Sequence, residues 1–153
     1  MPEGGPMNAH KTAIARKSLS VPVRWLRDKG LVTSGPDTLD YGCGRGYDCD
    51  QMEWAGYDPH FRPSPPTSNY GTVYCGYVFN VVEDVAERAE IFAAITSLLR
   101  AGGTAYIAVR NDSKKLQGTT SKGTWQGVVD MADYGCSCIR STSSYRIYRW
   151  EKS

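Results

Sequence analysis

The chain has no apolar run near the roughly 20 residues needed to cross a bilayer, so no membrane partner is expected. Histidine is scarce: the two residues, His10 and His60, lack the neighbours of a metal ligand set. Five cysteines form an odd count, which argues against a disulfide framework and for reduced thiols. Cys136 and Cys138 have no second Cys or His pair at ligand spacing, so no zinc site is expected. No Ser/His/Asp or Cys/His arrangement is apparent, and there is no internal repeat. Residues Met1 to Pro6 carry neither the basic front nor the apolar block of a secretion signal. Residues 1–9 read as a flexible tail, and a cytoplasmic location is expected.

What is present is ordinary for a globular domain: 153 residues, 41% hydrophobic and 22% charged. That length suits one domain over residues 10–153, with no room for a separate substrate-recognition unit. Charge is unevenly spread. Residues 1–30 hold six Lys/Arg against two acids, residues 31–109 four against ten, and residues 110–153 eight against four. An acidic middle suits a cationic ligand and basic ends suit phosphate, while a plain solvated surface explains the same numbers equally well.

The stretch Thr38-Leu-Asp-Tyr-Gly-Cys-Gly-Arg-Gly46 reads as a buried strand running into a glycine-rich loop. Glycines at 42, 44 and 46 let the backbone turn tightly and leave amides free to face a ligand. Asp40, at the strand's carboxyl end, can accept from an ammonium group, and Asp58, ending the next strand, offers paired acceptors to both hydroxyls of a ribose. Tyr47 stands where the dinucleotide fingerprint requires a third glycine, which weakens a nicotinamide reading.

Asp40-Tyr-Gly-Cys-Gly-Arg-Gly46 with Asp58 resembles the first motif and ribose-binding acid of class I S-adenosylmethionine-dependent methyltransferases. Val73 to Asn80 is similar to that family's fourth strand and the loop bordering the methyl donor, and Leu98 to Arg110 to its fifth strand. More narrowly, Gly56-Tyr-Asp-Pro59, Gly76 to Glu83, Glu87-Arg88 and Gly123-Thr-Trp-Gln126 resemble in order the methyltransferases associated with DNA phosphorothioation loci. The resemblance implies a three-layer Rossmann-like sheet, mostly parallel, with an antiparallel C-terminal hairpin. It implies S-adenosylmethionine as cofactor, S-adenosylhomocysteine as product, and cofactor contacts at Asp40, Gly42, Cys43, Gly44, Gly46, Asp58, Pro59, Tyr77 and Asn80. Only thirteen residues separate Asp58 from Thr72, too few for the usual helix and third strand, so the third strand is expected to be missing. The Pro-rich segment Pro59 to Asn69 is then left to cover the base.

Elsewhere the pattern predicts a helix over Ser20 to Gly30, a short one over Asp48 to Trp54, and a strand from Thr72 to Gly76. A helix over Glu83 to Leu99 is expected to bury Val85, Ala89, Phe92, Ile95 and Leu99 and to stop at Gly102-Gly103. Thr104 to Arg110 reads as a strand, Thr124 to Tyr134 as a helix, and Cys136 to Arg140 with Tyr145 to Trp150 as a hairpin.

In-line methyl transfer needs an oriented acceptor and a place for its proton, with no covalent intermediate. Candidates on the acceptor side are Tyr77, Asn80 and Arg110, then Asn111, Lys11 and Arg16. Packing explains Tyr77, Phe79 and Trp125 as well, helix capping explains Asn80, and an acidic partner explains Arg110. The family's Asn-Pro-Pro-Tyr motif for amino methylation of bases is absent. The acceptor stays open between nucleic acid or another phosphate-bearing molecule and a small metabolite. A non-catalytic cofactor-binding module and an NAD-linked dehydrogenase are the alternatives.

Overall fold

The structure, a computed structural model, describes residues 17–67, 69–112, 118–119 and 125–153. The tail expected over 1–9, and Lys11, Arg16, Gly123 and Thr124, lie outside the described residues.

Helix α1 spans Val21–Asp28, with Pro22 in the first turn, where its missing N–H costs nothing. The strands β1 (Thr38–Tyr41), β2 (Ala55–Tyr57), β3 (Tyr70–Gly76) and β4 (Leu99–Arg110) are parallel neighbours. The short helix α2 (Tyr47–Gln51) joins β1 to β2, and α3 (Val85–Leu98) joins β3 to β4. Two residues each of β5 (Gly118–Thr119) and β6 (Trp125–Gln126) pair with one another. The chain closes on the antiparallel hairpin of β7 (Ser137–Ser141) and β8 (Tyr145–Glu151), and β8 lies against β4.

The six-stranded sheet has the order β2-β1-β3-β4-β8-β7. From β1 the chain goes outward to β2 and then crosses back to β3 on the other side of β1, so the direction of winding reverses between β1 and β3. Such a reversal leaves a crevice at the carboxyl ends of the strands. Residues 59–67 and 69 add no strand beyond a single bridge between Asp58 and Arg62, so among the described residues nothing extends the sheet outside β2. This is the expected abbreviation.

Each face of the sheet is covered. On one face Val23 and Leu26 of α1 pack with Trp54, Tyr74, Tyr106 and Ile147. On the other, Ile91 and Ile95 of α3 pack with Leu39, Val73, Ile107 and Tyr148. Ile91 and Ile95 are both 0% exposed, and burial of such a side chain contributes roughly 1.5–3 kcal/mol.

Three expectations are corrected. In α3 Ile95 is buried as expected and Ile91 joins it, whereas Val85 is 66% exposed and Ala89 is also exposed. The helix gives way to β4 at Leu99, before Gly102 and Gly103. Those glycines serve the sheet instead: a side chain at Gly103 would meet the carbonyls of Arg100 (2.9 Å) and Gly71 (3.0 Å), and Gly102 has φ +82° beside a register shift. Finally, residues 125–134 are no continuous helix. They hold β6 and a single 3-10 turn, Met131–Tyr134, capped by Asp130 and ended by Gly135 at φ +81°.

Asp130 Oδ1 accepts from the Ala132 N–H and from the Tyr148 hydroxyl, each at 3.0 Å. The Ala132 amide, then the phenol, holds its carboxyl below the ordinary 3.8. A depressed carboxylate stabilises the fold above its unfolded value and loses that contribution as pH falls through the folded value. Asp130→Ala is expected to cost about 1 kcal/mol at neutral pH, the usual loss for a cap. Urea titrations should show the gap from wild type closing once pH drops below 3.8.

Candidate functional site

Asp40, buried at 2% exposure, is the penultimate residue of β1. Beyond it Gly42, Gly44 and Gly46 adopt φ +85°, +57° and +90°, a region that side-chain-bearing residues avoid. The chain is thereby folded back on the end of β2. The N–H groups of Gly42 and Cys43 both donate to the Tyr57 carbonyl, at 2.7 and 2.9 Å, and the Gly46 N–H donates to Cys43 O at 3.0 Å. The Gly44 N–H donates to Asp58 Oδ2 at 2.9 Å.

These contacts change the expected role of the loop. Four of its amides are spent on the protein itself rather than left open. The space beside Gly42 is filled by a methyl of Val78 and that beside Gly46 by the Arg62 guanidinium. Both glycines thus make room for close packing of the loop's own neighbours.

Asp58, half-buried, is the hub of this packing. Its Oδ1 accepts from the amides of His60 (2.9 Å) and Phe61 (3.0 Å), while Oδ2 takes Gly44. An ionised carboxylate has about four acceptor positions, so among the described residues one position on Oδ2 is left for a ligand. Pro59 opens the segment that follows. There His60 meets Phe61 edge-on at 4.6 Å, and the Arg45 guanidinium lies 5.0 Å from the Phe61 ring centre. Arg62 then reaches back to α2, with both nitrogens 2.8 Å from the Asp50 carboxylate and one 3.1 Å from Arg45 O. Its hydrogen bonds hold the Asp50 carboxyl below the usual range. Arg62 was not among the sequence candidates. The available signal was its charge, since it is one of only four basic residues in the acidic middle of the chain.

Cys43 reports the local field. Its thiol is pushed up by its hydrogen bond to Cys49, by burial, and by the charges of both Asp40 and Asp58. Two carboxylates thus act on one point of the loop.

The acceptor-side candidates stand at the ends of β3 and β4. Tyr77, just past β3, has φ +60°, a costly conformation for a bulky residue and one that concentrates at functional sites. Its N–H donates to Ala108 O at 2.8 Å. Asn80 is 1% exposed; its Oδ1 accepts from the Arg110 N–H at 3.5 Å and its carbonyl from the Gly127 N–H at 2.9 Å. It therefore ties the ends of β3 and β4 to the segment after β6. The Arg110 guanidinium pairs with Asp112 at 2.6 Å. Asn111 Nδ2 donates to Thr142 O at 2.7 Å and so pins the hairpin. Half-buried Trp125 lies under the Arg88 guanidinium, 5.3 Å from ring centre to cation.

Asp40, Gly42, Cys43, Gly44, Gly46, Asp58 and Pro59 are therefore gathered at the ends of β1 and β2, and Val78 against Gly42 joins them to the loop bearing Tyr77. A separate cavity of about 230 Å³ lies between α3 and the proline segment, lined by Tyr41, Tyr57, Pro65, Pro66, Ala94, Ser97 and Leu98. It contains no carboxylate, which sets it apart from the anionic loop.

No protein-family model matches this chain, and no curated protein matches its sequence. Solved structures do match its fold. Magnesium protoporphyrin IX methyltransferase from Synechocystis PCC 6803, with bound S-adenosylhomocysteine, is 19% identical with a TM-score of 0.55, over 86% of this chain and 80% of that one. A S-adenosylmethionine-dependent methyltransferase from Mesorhizobium loti is 12% identical at a TM-score of 0.58, over 85% and 98% of the two chains. The 1,6-didemethyltoxoflavin-N1-methyltransferase of Burkholderia thailandensis, bound to 1,6-didemethyltoxoflavin and S-adenosylhomocysteine, is 12% identical at 0.60, over 87% and 77%. The chain thus has the Rossmann-like fold of the class I methyltransferases, with their antiparallel C-terminal strands.

Proposed function

We propose that this chain is a S-adenosylmethionine-dependent methyltransferase. The observation that carries the reading is the placement of two carboxylates beside one glycine loop at the sheet's winding reversal, Asp40 buried near the end of β1 and Asp58 accepting from the Gly44 amide at 2.9 Å. Ligands of open α/β sheets sit at such reversals, and an anionic cradle suits a molecule bearing a sulfonium, an ammonium and a ribose diol. Bound there, S-adenosylmethionine would supply a methyl group activated by its positively charged sulfur. The chain's own residues supply placement: Asp58 accepts from a ribose hydroxyl through the open position on Oδ2, and buried Asp40 sets a negative charge beneath the loop. Solved structures of the same fold hold S-adenosylhomocysteine, which supports this choice of cofactor.

For the acceptor we propose nucleic acid or another phosphate-bearing molecule, met by Tyr77, Asn80 and Arg110. The basic terminal segments of the sequence, residues 1–30 and 110–153, support this, as does the motif order resembling the phosphorothioation-associated methyltransferases. A cytoplasmic location follows from the same reading.

Calorimetric titration with S-adenosylhomocysteine and with NADH tests the cofactor. The homocysteine compound is expected to bind more tightly, and stronger NADH binding would overturn the assignment. Methyl-labelled cofactor, offered with DNA, RNA and small-molecule fractions of a cell extract, tests the acceptor. Label is expected in nucleic acid. Label confined to small molecules moves the acceptor to a metabolite, and binding without any transfer favours the non-catalytic module.

A further inference from the structure

We propose that Cys43 and Cys49 form a reversible disulfide across the glycine loop, a thiol-modification site that closes the loop against the cofactor. The part concerning the cofactor rests on the function proposed above; the cross-link itself does not.

Both sulfurs converge on one point. A side chain at Gly56 would meet Cys49 Sγ at 2.7 Å and Cys43 Sγ at 3.2 Å, with Cys43 Cβ at 3.6 Å. Gly56 is thus the floor on which the two thiols rest side by side. Each is also held by the loop: Cys49 Sγ donates to Gly46 O at 3.3 Å and Cys43 Sγ to Gly44 O at 3.7 Å. The remaining cysteines lie elsewhere. Cys75 and Cys136 are buried in the core cluster that includes Ile91 and Ile95, and Cys138 is exposed on β7.

The pair is chemically unequal. Cys49 is lowered, first by the hydrogen bond from Cys43 and then, against burial, by the Arg62 charge. Arg62 Nη1 lies 3.6 Å from its sulfur, and the Arg62 side chain is 36% exposed, so Cys49 is in contact with a side chain that reaches the surface. A thiolate near a cation is the form that attacks an oxidant. With a hydroperoxide as oxidant, the Cys49 thiolate attacks the terminal oxygen and the O–O bond breaks. Cys49 becomes a sulfenic acid, and the leaving oxygen takes a proton to depart as an alcohol or water. The Cys43 sulfur then attacks the sulfenic sulfur, its proton leaves with the hydroxyl as water, and the S–S bond forms. Two thiols lose two electrons and the peroxide gains them; a dithiol reductant reverses the change.

A disulfide requires its β-carbons about 3.8 Å apart. Gly44 and Gly46, both at positive φ, lie between the two cysteines and give the backbone there the freedom to adjust to that geometry. Contraction pulls Cys43 and Gly44 toward α2, away from the Tyr57 carbonyl and from Asp58 Oδ2, which bind them in the reduced form.

The test treats the whole chain with hydrogen peroxide and maps tryptic peptides without reduction. Arg45 lies between the two cysteines, so cleavage places them on separate peptides and their cross-link appears as a joined pair. That pair is expected, with the intact mass falling by two hydrogens and returning with dithiothreitol. S-adenosylhomocysteine affinity is expected to fall at least tenfold on oxidation and to recover on reduction. C49S should abolish both the pair and the response to peroxide, and if that variant fails to fold, loss of the pair in C43S decides the same point. Oxygen adducts without a pair, or pairing through Cys138, overturn the cross-link. A pair that leaves affinity unchanged overturns its closing role. If the reduced protein binds no S-adenosylhomocysteine, the cofactor assignment fails, while the peptide map still decides the disulfide.

Discussion

Asp58→Ala is expected to raise the dissociation constant for S-adenosylhomocysteine roughly 10- to 150-fold, the equivalent of about 1.5–3 kcal/mol for hydrogen bonds to an ionised acceptor. A second loss should accompany it. The amides of Gly44, His60 and Phe61 all rely on this carboxylate, so the variant is also expected to lose about 2–3 kcal/mol of unfolding free energy. Partial access of water to the site keeps the sum of three bonds from appearing in full. Calorimetric titration and urea denaturation on the same preparation separate the two effects. Lost stability with unchanged affinity would make Asp58 a brace only and remove it from the ribose assignment.

Gly42→Ala is expected to cost roughly 2–5 kcal/mol, from an αL penalty of about 1–2 kcal/mol and an overpacking penalty of about 1–3 kcal/mol. The first arises because residue 42 has φ +85°. The second arises because the new methyl would strike Val78. The two contributions can be separated, since trimming Val78 to alanine in the Gly42→Ala background relieves the clash and leaves the backbone cost. A coupling of about 1–2 kcal/mol between the two substitutions is therefore expected from denaturant titrations. Strict additivity would show that Val78 does not close on the loop. Against a typical total of 5–15 kcal/mol for a native domain, this is the largest single loss anticipated here.

The parts of the fold that were legible in the sequence are those fixed by local chemistry. Ser20 and Pro22 mark the start of α1, the alternation of apolar runs with turns gives β1 through β4, and the thirteen residues after Asp58 are too few for another crossover. The loop itself was legible as a turn, because three closely spaced glycines mean positive φ. Its hydrogen-bond partners were not, because Tyr57 O, Asp58 and Val78 come from other elements that meet it only in the folded chain. The same limit explains the misplaced elements. Gly102 and Gly103 terminate helices in isolation, yet here Gly103 admits the neighbouring backbone of β3 and Gly102 supplies a positive φ. Residues 124–134 contain apolar positions at helical intervals, but a hydrogen bond from the Gly127 amide to Asn80 O and the cap at Asp130 divide them. In α3 the period placed Ile95 and Leu99 correctly but could not fix the first turns, where Val85 and Ala89 are exposed and Ile91 instead joins the cluster with Leu39 and Val73.

The abbreviated crossover also governs how this sheet meets other chains. An edge strand is a template for adventitious pairing, and its hazard grows with its length and flatness. Here one border is β2, only three residues long, and directly beyond it the backbone bridges from Asp58 to Arg62. The opposite border, β7, is interrupted by a bulge between Cys138 and Arg140. Among the described residues neither border presents a long straight ladder for a second chain to extend, one because the crossover beyond β2 is abbreviated and the other because β7 is bulged, so both are poor templates for edge-to-edge aggregation.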